Sequence, residues 1–145
     1  MLAVMCSNRP YHILVADDYP RFRECLKELL SDDSGIEVIG EAGDGLEVLS
    51  FLDRSPTIPD LAILDISMPN LGGIEVTELI RKAHPGIKVL ILTMFSDEDH
   101  LRRALAAGAE GYLLKEDAAH ELLCAISALR DGCTYLSPSL SAARC

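Results

Sequence analysis

Basic residues are scarce in this chain. Thirteen lysines and arginines stand against twenty-three aspartates and glutamates, which gives a formal net charge of -10. Such a charge repels a phosphate backbone, and the sequence contains no strong local basic patch that could offset it. We therefore do not expect this chain to bind nucleic acid directly.

The chain also lacks paired cysteines and long apolar runs. Its five cysteines are widely spread and include no C-x-x-C pair, so the sequence suggests neither a disulfide framework nor a zinc site. The first apolar run, in MLAVMCSNRP, is too short for a signal peptide, and no later run approaches the length that crosses a bilayer. These absences lead us to expect a cytoplasmic protein in a reducing setting, without a membrane partner.

Short apolar runs alternate with helical patterns along the 145 residues. The runs HILVA, IEVIGEA, LAILD, KVLIL and GYLL predict five strands, and each is followed by apolar residues at the spacing of one helical face. Unbroken apolar strands joined by helices are typical of a parallel sheet that is covered on both faces. The sequence therefore predicts one α/β domain with five strands and five helices.

Polar side chains follow four of the five predicted strands. Asp17 and Asp18 end the first run, Asp65 the third, Thr93 the fourth and Lys115 the fifth. Ligands of open α/β sheets bind beyond the carboxyl ends of the strands, so we expect these residues to share one rim.

Crowded carboxylates at such a rim repel one another unless a cation bridges them. Mg²⁺ is the natural bridge, because it prefers a few carboxylates and keeps several waters that a phosphoryl group can displace. A carboxylate can also act as a nucleophile and form an acyl phosphate when nearby groups neutralise the phosphoryl oxygens. We therefore predict Asp65 as a phosphate acceptor, assisted by the metal, Lys115 and Thr93.

Each of these residues also has a simpler interpretation. Asp17 and Asp18 could cap the helix that Pro20 is predicted to begin, since aspartate is a preferred N-cap residue. Thr93 alone would be a turn residue, and Lys115 alone would be a surface lysine. The joint pattern at four strand ends favours the metal site over these readings.

The same residues resemble the receiver domain of two-component response regulators. The matching features are the acidic pair Asp17 and Asp18, Asp65 in LDISMPNLGG, Thr93 in ILTMF, and Tyr112 with Lys115 in GYLLK. The sequences LRRALAAGAEGYLLK and GCTYLSPSL are similar to the NarL/FixJ subgroup, whose receivers are joined to a LuxR-type helix-turn-helix. The resemblance implies a flavodoxin-like, doubly wound (βα)5 fold with strand order 2-1-3-4-5.

The resemblance also implies a metal site and a phosphorylation site. Asp65 would be phosphorylated by a partner histidine kinase. Asp18 and Asp65 would bind Mg²⁺ or Mn²⁺ together with the backbone carbonyl of Ser67, and Asp17 would act on the metal mainly through water.

The remaining matched residues are implied to form a switch. Lys115 would pair with the phosphoryl group, Thr93 would move to meet it, and Tyr112 would rotate inward into the space that this movement frees. The chain would thus be a signalling domain that catalyses only its own phosphorylation and dephosphorylation. Many family members have a proline after the lysine, whereas Glu116 stands there in this sequence.

The same resemblance suggests the domain organisation and the output. Residues 1–10 would be a leader, residues 11–131 the receiver, and residues 132–145 the start of a linker to an output domain absent from this chain. That output domain would be a helix-turn-helix that binds DNA and regulates transcription. Phosphorylation would favour a homodimer.

Two other functions share parts of this pattern. A magnesium-dependent phosphatase of the haloacid dehalogenase type also uses a strand-end aspartate, but it requires an acid two residues later, where this chain has Ser67. A flavin carrier needs a hydroxyl-rich phosphate loop after the first strand, and DDYPRF supplies carboxylates that would repel the flavin phosphate.

Overall fold

The computed structural model describes residues 9–140, so residues 1–8 of the predicted leader and 141–145 of the predicted linker lie outside it. Within this range five strands alternate with five helices, as the sequence predicts, and a further short strand follows the last helix. The strands are β1 (Tyr11–Ala16), β2 (Ile36–Ala42), β3 (Leu61–Leu64), β4 (Lys88–Thr93), β5 (Gly111–Leu114) and β6 (Tyr135–Leu136). The helices are α1 (Pro20–Leu30), α2 (Gly45–Arg54), α3 (Gly73–Ala83), α4 (Glu98–Ala107) and α5 (Ala118–Arg130), and a 3-10 turn (Lys115–Asp117) precedes α5.

The strands form one parallel sheet in the order β2-β1-β3-β4-β5-β6. This confirms the flavodoxin-like doubly wound fold and the predicted order of the first five strands. The chain leaves β1 toward β2 on one side and returns to β3 on the other. The carboxyl ends of β1 and β3 therefore border the crevice where an open α/β sheet binds its ligands.

The sixth strand was not predicted. After α5 the chain turns at Gly132, whose φ of 89° lies in the left-handed region, and the amide of Cys133 donates to the carbonyl of Ala128. Tyr135 and Leu136 then pair with Gly111 and Tyr112 of β5. Two paired residues give no periodic apolar signal, which is why this stretch resembled the start of a linker.

The sheet separates two apolar clusters. Alternate strand residues point to opposite faces, so Leu14, Leu64 and Ile91 pack with α2, α3 and α4, while Ile13 and Ile63 pack with α1 and α5. Both faces of the central strands are thus covered by helices. This explains why β3 and β5 are apolar at every position and fully buried.

The helices cover the sheet with one apolar face each. In α1, for example, Leu26 and Leu30 are buried at a spacing of four residues, while Glu24 and Glu28 are exposed. Among the described residues, no helix has both the length and the apolar composition of a membrane-spanning segment.

Candidate functional site

Backbone hydrogen bonds extend the sheet into the residues that follow β1 and β3. The amide of Asp17 donates to the carbonyl of Ala42 at 3.0 Å, and the amide of Asp65 donates to the carbonyl of Ala16 at 3.0 Å. The two carboxylates are therefore fixed to neighbouring strands at the same end of the sheet. This is the convergence that the sequence predicts for strand-end residues.

Three carboxylates form what we call the acidic cluster: Asp17, Asp18 and Asp65. One oxygen of each lies within 4.8 Å of the others, and no other group of three or more metal-ligand residues was found in residues 9–140. Asp17 and Asp65 are 1% and 6% exposed, whereas Asp18 is exposed. The cluster is thus buried on the sheet side and open to solvent at Asp18.

Lys115 reaches this cluster from the end of β5. Its Nζ lies 2.8 Å from Oδ2 of Asp17 and 3.6 Å from Oδ2 of Asp65. The same Nζ lies 4.4 Å from the centroid of the Phe22 ring, so an aromatic face of α1 supports the ammonium group. One cation therefore contacts both buried carboxylates and cannot fully neutralise the charge of three.

The electrostatics of Asp65 reflect its burial and the neighbouring carboxylate of Asp17. Burial, with a further contribution from the carboxylate of Asp17, raises the pKa of Asp65 to about 6. Lys115 and a backbone hydrogen bond from Ser67 oppose the increase without cancelling it. A buried anion in this state gains from any further positive charge that can reach it.

The acidic cluster fits a hard divalent cation. Its donors are carboxylate oxygens, which Mg²⁺ prefers, and the exposed side at Asp18 leaves room for the waters that Mg²⁺ retains. Burial, with the carboxylate of Asp17, raises the pKa of Asp65, so a cation at this position would stabilise its ionised form. The position of the Ser67 carbonyl as a further ligand stays a prediction.

Asp17 and Asp18 do not cap α1 through their side chains. The N-cap residue is Tyr19, and no side chain donates or accepts a capping bond there. Oδ1 of Asp17 instead accepts a hydrogen bond from the amide of Tyr19 at 2.9 Å, and Arg23 donates to the Asp17 carbonyl. These contacts fix the orientation of Asp17, which leaves its Oδ2 facing Lys115.

The loop after β3 is held close to Asp65. The amide of Gly73 donates to the carbonyl of Ile66, and a Cβ at position 73 would lie only 2.2 Å from the carbonyl oxygen of Asp65. Any side chain there would displace the backbone that carries Asp65. Gly73 of NLGG therefore allows close packing against the backbone of the predicted phosphate acceptor.

Phe95 connects Thr93 with Tyr112, and the sequence did not predict this connection. The side chains of Thr93 and Tyr112 are fully buried. The amide of Phe95 donates to Oγ1 of Thr93 at 3.1 Å, and its carbonyl accepts from the hydroxyl of Tyr112 at 2.7 Å. The Phe95 ring also stacks on His100, at 4.2 Å between ring centroids. Tyr112 thus occupies the inward position, in contact with the loop between β4 and α4.

A surface pocket opens beside Lys115. It has a volume of about 420 Å³ and is lined by Tyr19, Phe22, Met94, Lys115 and Glu116. The side chains of Tyr19, Phe22 and Met94 form an apolar wall beside the entrance to the acidic cluster. The apolar spacing of Phe22 on α1 predicts a core contact, and its half-buried ring both packs against the core and lines this pocket.

The peptide bond between Lys115 and Glu116 is trans, as are the other peptide bonds of residues 9–140. The turn after β5 therefore forms in this chain with Glu116 at the position where many receiver domains have proline. The carboxylate of Asp117, at the end of this turn, accepts a hydrogen bond from the hydroxyl of Ser137.

Comparisons with known proteins agree with this architecture. The family model of the response regulator receiver domain matches residues 13–127. The chain is 33% identical over 135 residues to the transcriptional regulatory protein DegU of Brevibacillus brevis, which covers 93% of this chain and 56% of DegU. The chain thus spans little more than half the length of this relative.

Solved structures show the same fold. A LuxR-family two-component response regulator from Aurantimonas sp. SI85-9A1 has a TM-score of 0.85 at 32% identity, covering 91% of this chain and 93% of that one. The isolated receiver domain of RcsB from Salmonella enterica serovar Typhimurium, in the presence of phosphomimetic BeF3-, has a TM-score of 0.84 at 26% identity, with 92% and 97% covered.

Proposed function

The chain belongs to the response regulator receiver domain family, and on that premise we propose that Asp65 accepts a phosphoryl group from a partner histidine kinase. The observation that carries this proposal is the meeting of Asp65, the other two carboxylates of the acidic cluster and Lys115 at one end of the sheet. These groups come from three strand ends that are far apart in the sequence.

The acidic cluster would hold the metal. Asp18 and Asp65 would bind Mg²⁺ or Mn²⁺ directly with the Ser67 carbonyl, and Asp17 would act mainly through water. The ion would supply positive charge to the phosphoryl oxygens as negative charge develops on them.

The protein groups would carry out the transfer itself. An oxygen of the Asp65 carboxylate forms a bond to phosphorus while the P–N bond of the donor phosphohistidine breaks, and the imidazole keeps the electron pair and takes up a proton. Nζ of Lys115 lies 3.6 Å from Oδ2 of Asp65, and it would then pair with the negatively charged phosphoryl oxygens. Hydrolysis later returns inorganic phosphate and the free carboxylate, so the chain acts only on itself.

Thr93 and Tyr112 would convert phosphorylation into a conformational change. The Thr93 hydroxyl accepts from Phe95 and keeps its own proton available for a phosphoryl oxygen. A shift of Thr93 would move Phe95, whose carbonyl holds the hydroxyl of Tyr112. The surface around α4 and β5 would then have a different shape in each of the two states of this loop.

The output would be control of transcription, as in the relative DegU, a transcriptional regulatory protein. DNA would be bound by an output domain outside this chain, and phosphorylation would favour a homodimer. The net charge of -10 supports this division, because the receiver itself is unsuited to a phosphate backbone.

The alternative of a haloacid dehalogenase phosphatase gains no support from the comparisons. It would also need an acid at position 67, where this chain has serine.

Incubation with Mg²⁺ and acetyl phosphate tests the proposal. The wild type is expected to gain the mass of one phosphoryl group, and Asp65→Asn is expected to gain none. Asp53→Asn, an exposed position on α2, is the matched control and should behave as the wild type. An equal mass gain in the wild type and Asp65→Asn would remove Asp65 from its role.

A further inference from the structure

We propose that Ser137 and Asp117 are positioning residues for this phosphorylation site, and that docking of residues 133–140 and phosphorylation of Asp65 favour each other. We call residues 133–140 the C-terminal segment. The inference rests on the proposed function and adds its regulation by a part of the chain that follows α5.

The C-terminal segment pairs with the strand that carries both switch residues. Leu136 is the register partner of Tyr112, and the amide of Ser137 donates to the carbonyl of Tyr112 at 2.9 Å. Lys115 follows β5 directly. The segment therefore lies along the backbone from which Tyr112 and Lys115 project.

Ser137 connects this segment to the turn that begins with Lys115. Its hydroxyl accepts from the amide of Leu114 at 3.2 Å and donates to Oδ2 of Asp117. Ser139 adds a second hydroxyl 3.2 Å from the same carboxylate oxygen. Ser137 is fully buried, so its hydroxyl has no access to water as a replacement partner.

These contacts restrain the lysine. Lys115 and Asp117 are the first and last residues of the same 3-10 turn. The clamp formed by Ser137 and Asp117 holds the turn at its far end, and Leu114 holds it at its near end. The clamp thereby keeps Nζ of Lys115 in reach of Asp17 and Asp65.

Apolar contacts tie the segment to the inward position of Tyr112. Leu140 is buried in the cluster that contains Tyr112 and Leu114, and Leu136 packs against that cluster. Inward Tyr112 is the position that the family resemblance assigns to the phosphorylated state. A docked segment therefore favours this state, and by linkage the phosphorylated state favours docking to the same extent.

Phosphorylation rates test one direction of this coupling. Phosphorylation in Mg²⁺ and acetyl phosphate is followed by intact mass. Ser137→Ala should be phosphorylated at least about fivefold more slowly than the wild type, because even about 1 Å of misplacement of a group such as Lys115 can cost up to about a hundredfold in rate. Asp117→Ala should show the same loss, and Asp117→Asn, which keeps an oxygen acceptor for Ser137, should recover most of the rate.

Tyr135→Phe is the matched control. It removes the hydrogen bond from Tyr135 to Glu121 within the same segment but leaves the clamp intact, so its rate should stay near that of the wild type. A rate loss equal to that of Ser137→Ala would show that any weakening of the segment suffices, which would overturn the roles of Ser137 and Asp117.

Hydrogen exchange tests the reverse direction. Addition of Mg²⁺ and BeF3- should slow amide exchange in residues 133–140 of the wild type. The same addition should not change amide exchange of these residues in Ser137→Ala. Failure of the wild type to be phosphorylated at Asp65 would contradict the proposed function itself. The inference alone would be overturned if the wild type is phosphorylated at the same rate as Ser137→Ala and its exchange in residues 133–140 does not slow on addition of BeF3-.

Discussion

Asp65 destabilises the folded chain when it is ionised without a metal. Burial and the Asp17 carboxylate raise the pKa of Asp65 to about 6, above its ordinary value of 3.8. A carboxyl group with a raised pKa stabilises the fold below its ordinary pKa, and this contribution is lost as the pH rises through the folded value. The destabilisation is therefore present near neutral pH, where the site is proposed to work.

Asp65→Asn should therefore be more stable than the wild type in metal-free buffer above pH 6. A difference of about two pKa units corresponds to about 3 kcal/mol, which is an upper bound for the gain. The gain should shrink between pH 6 and pH 4 and disappear below that. Denaturant unfolding of both proteins across this pH range measures it.

Asp53→Asn provides the control, because Asp53 is exposed on α2 and lies outside the acidic cluster. A stability gain for Asp65→Asn that stays constant from pH 8 to pH 4 would contradict the electrostatic explanation.

Single residues of the site were predictable where they follow strands. Asp17, Asp65 and Lys115 each end an apolar run, and parallel strands bring such positions together. Phe95 and Ser137 were not predictable as contacts of Tyr112. Their roles depend on backbone groups and hydroxyls in loops, which leave no periodic pattern in a sequence.

At the scale of elements, the loop between β4 and α4 is held by contacts to Phe95. Tyr112 donates to its carbonyl, Thr93 accepts from its amide, and His100 stacks on its ring. Burial raises the pKa of Tyr112 well above its ordinary value, so its hydroxyl remains a donor throughout the usual pH range.

Tyr112→Phe should loosen this loop with little change in the fold. Loss of one hydrogen bond is expected to reduce the free energy of unfolding by about 1 kcal/mol. Hydrogen exchange of residues 94–97 should become faster, which mass spectrometry of peptides can measure.

Tyr11→Phe is a suitable comparison, because Tyr11 is also a buried strand tyrosine but lies on β1, where the strand begins. Unchanged exchange of the loop in Tyr112→Phe, or an equal increase in Tyr11→Phe, would contradict the link between Tyr112 and Phe95.

Element order and type followed from apolar periodicity for β1 to β5 and α1 to α5. β6 escaped prediction because its neighbours Gly132, Ser137 and Pro138 are typical of segments that leave a domain. Its place is decided by the free edge of β5 and by the clamp on Asp117, both of which are tertiary features.

For the molecule as a whole, a divalent cation should act as a stabilising ligand. Mg²⁺ at one hundred times its dissociation constant would add about 2.7 kcal/mol to the free energy of unfolding if it binds only the folded chain. The increase should be smaller at pH 5, because Asp65, with its pKa of about 6, is then mostly protonated. Thermal unfolding with and without Mg²⁺ at pH 8 and pH 5 measures both effects.

Asp18→Asn should remove most of the Mg²⁺ effect while changing the metal-free protein little, because Asp18 is exposed. Equal stabilisation of Asp18→Asn and the wild type would place the ion elsewhere on this acidic protein.

The alternation of side chains in β5 has a consequence for natural variation. Tyr112 and Leu114 belong to the cluster beneath α2, α3 and α4, whereas Leu113 belongs to the cluster beneath α1 and α5. If Tyr112 acts as the proposed switch, substitutions near it would impair both folding and signalling, whereas substitutions near Leu113 would mainly impair folding. Variants that alter regulation are therefore expected more often on the Tyr112 side of the sheet than on the Leu113 side.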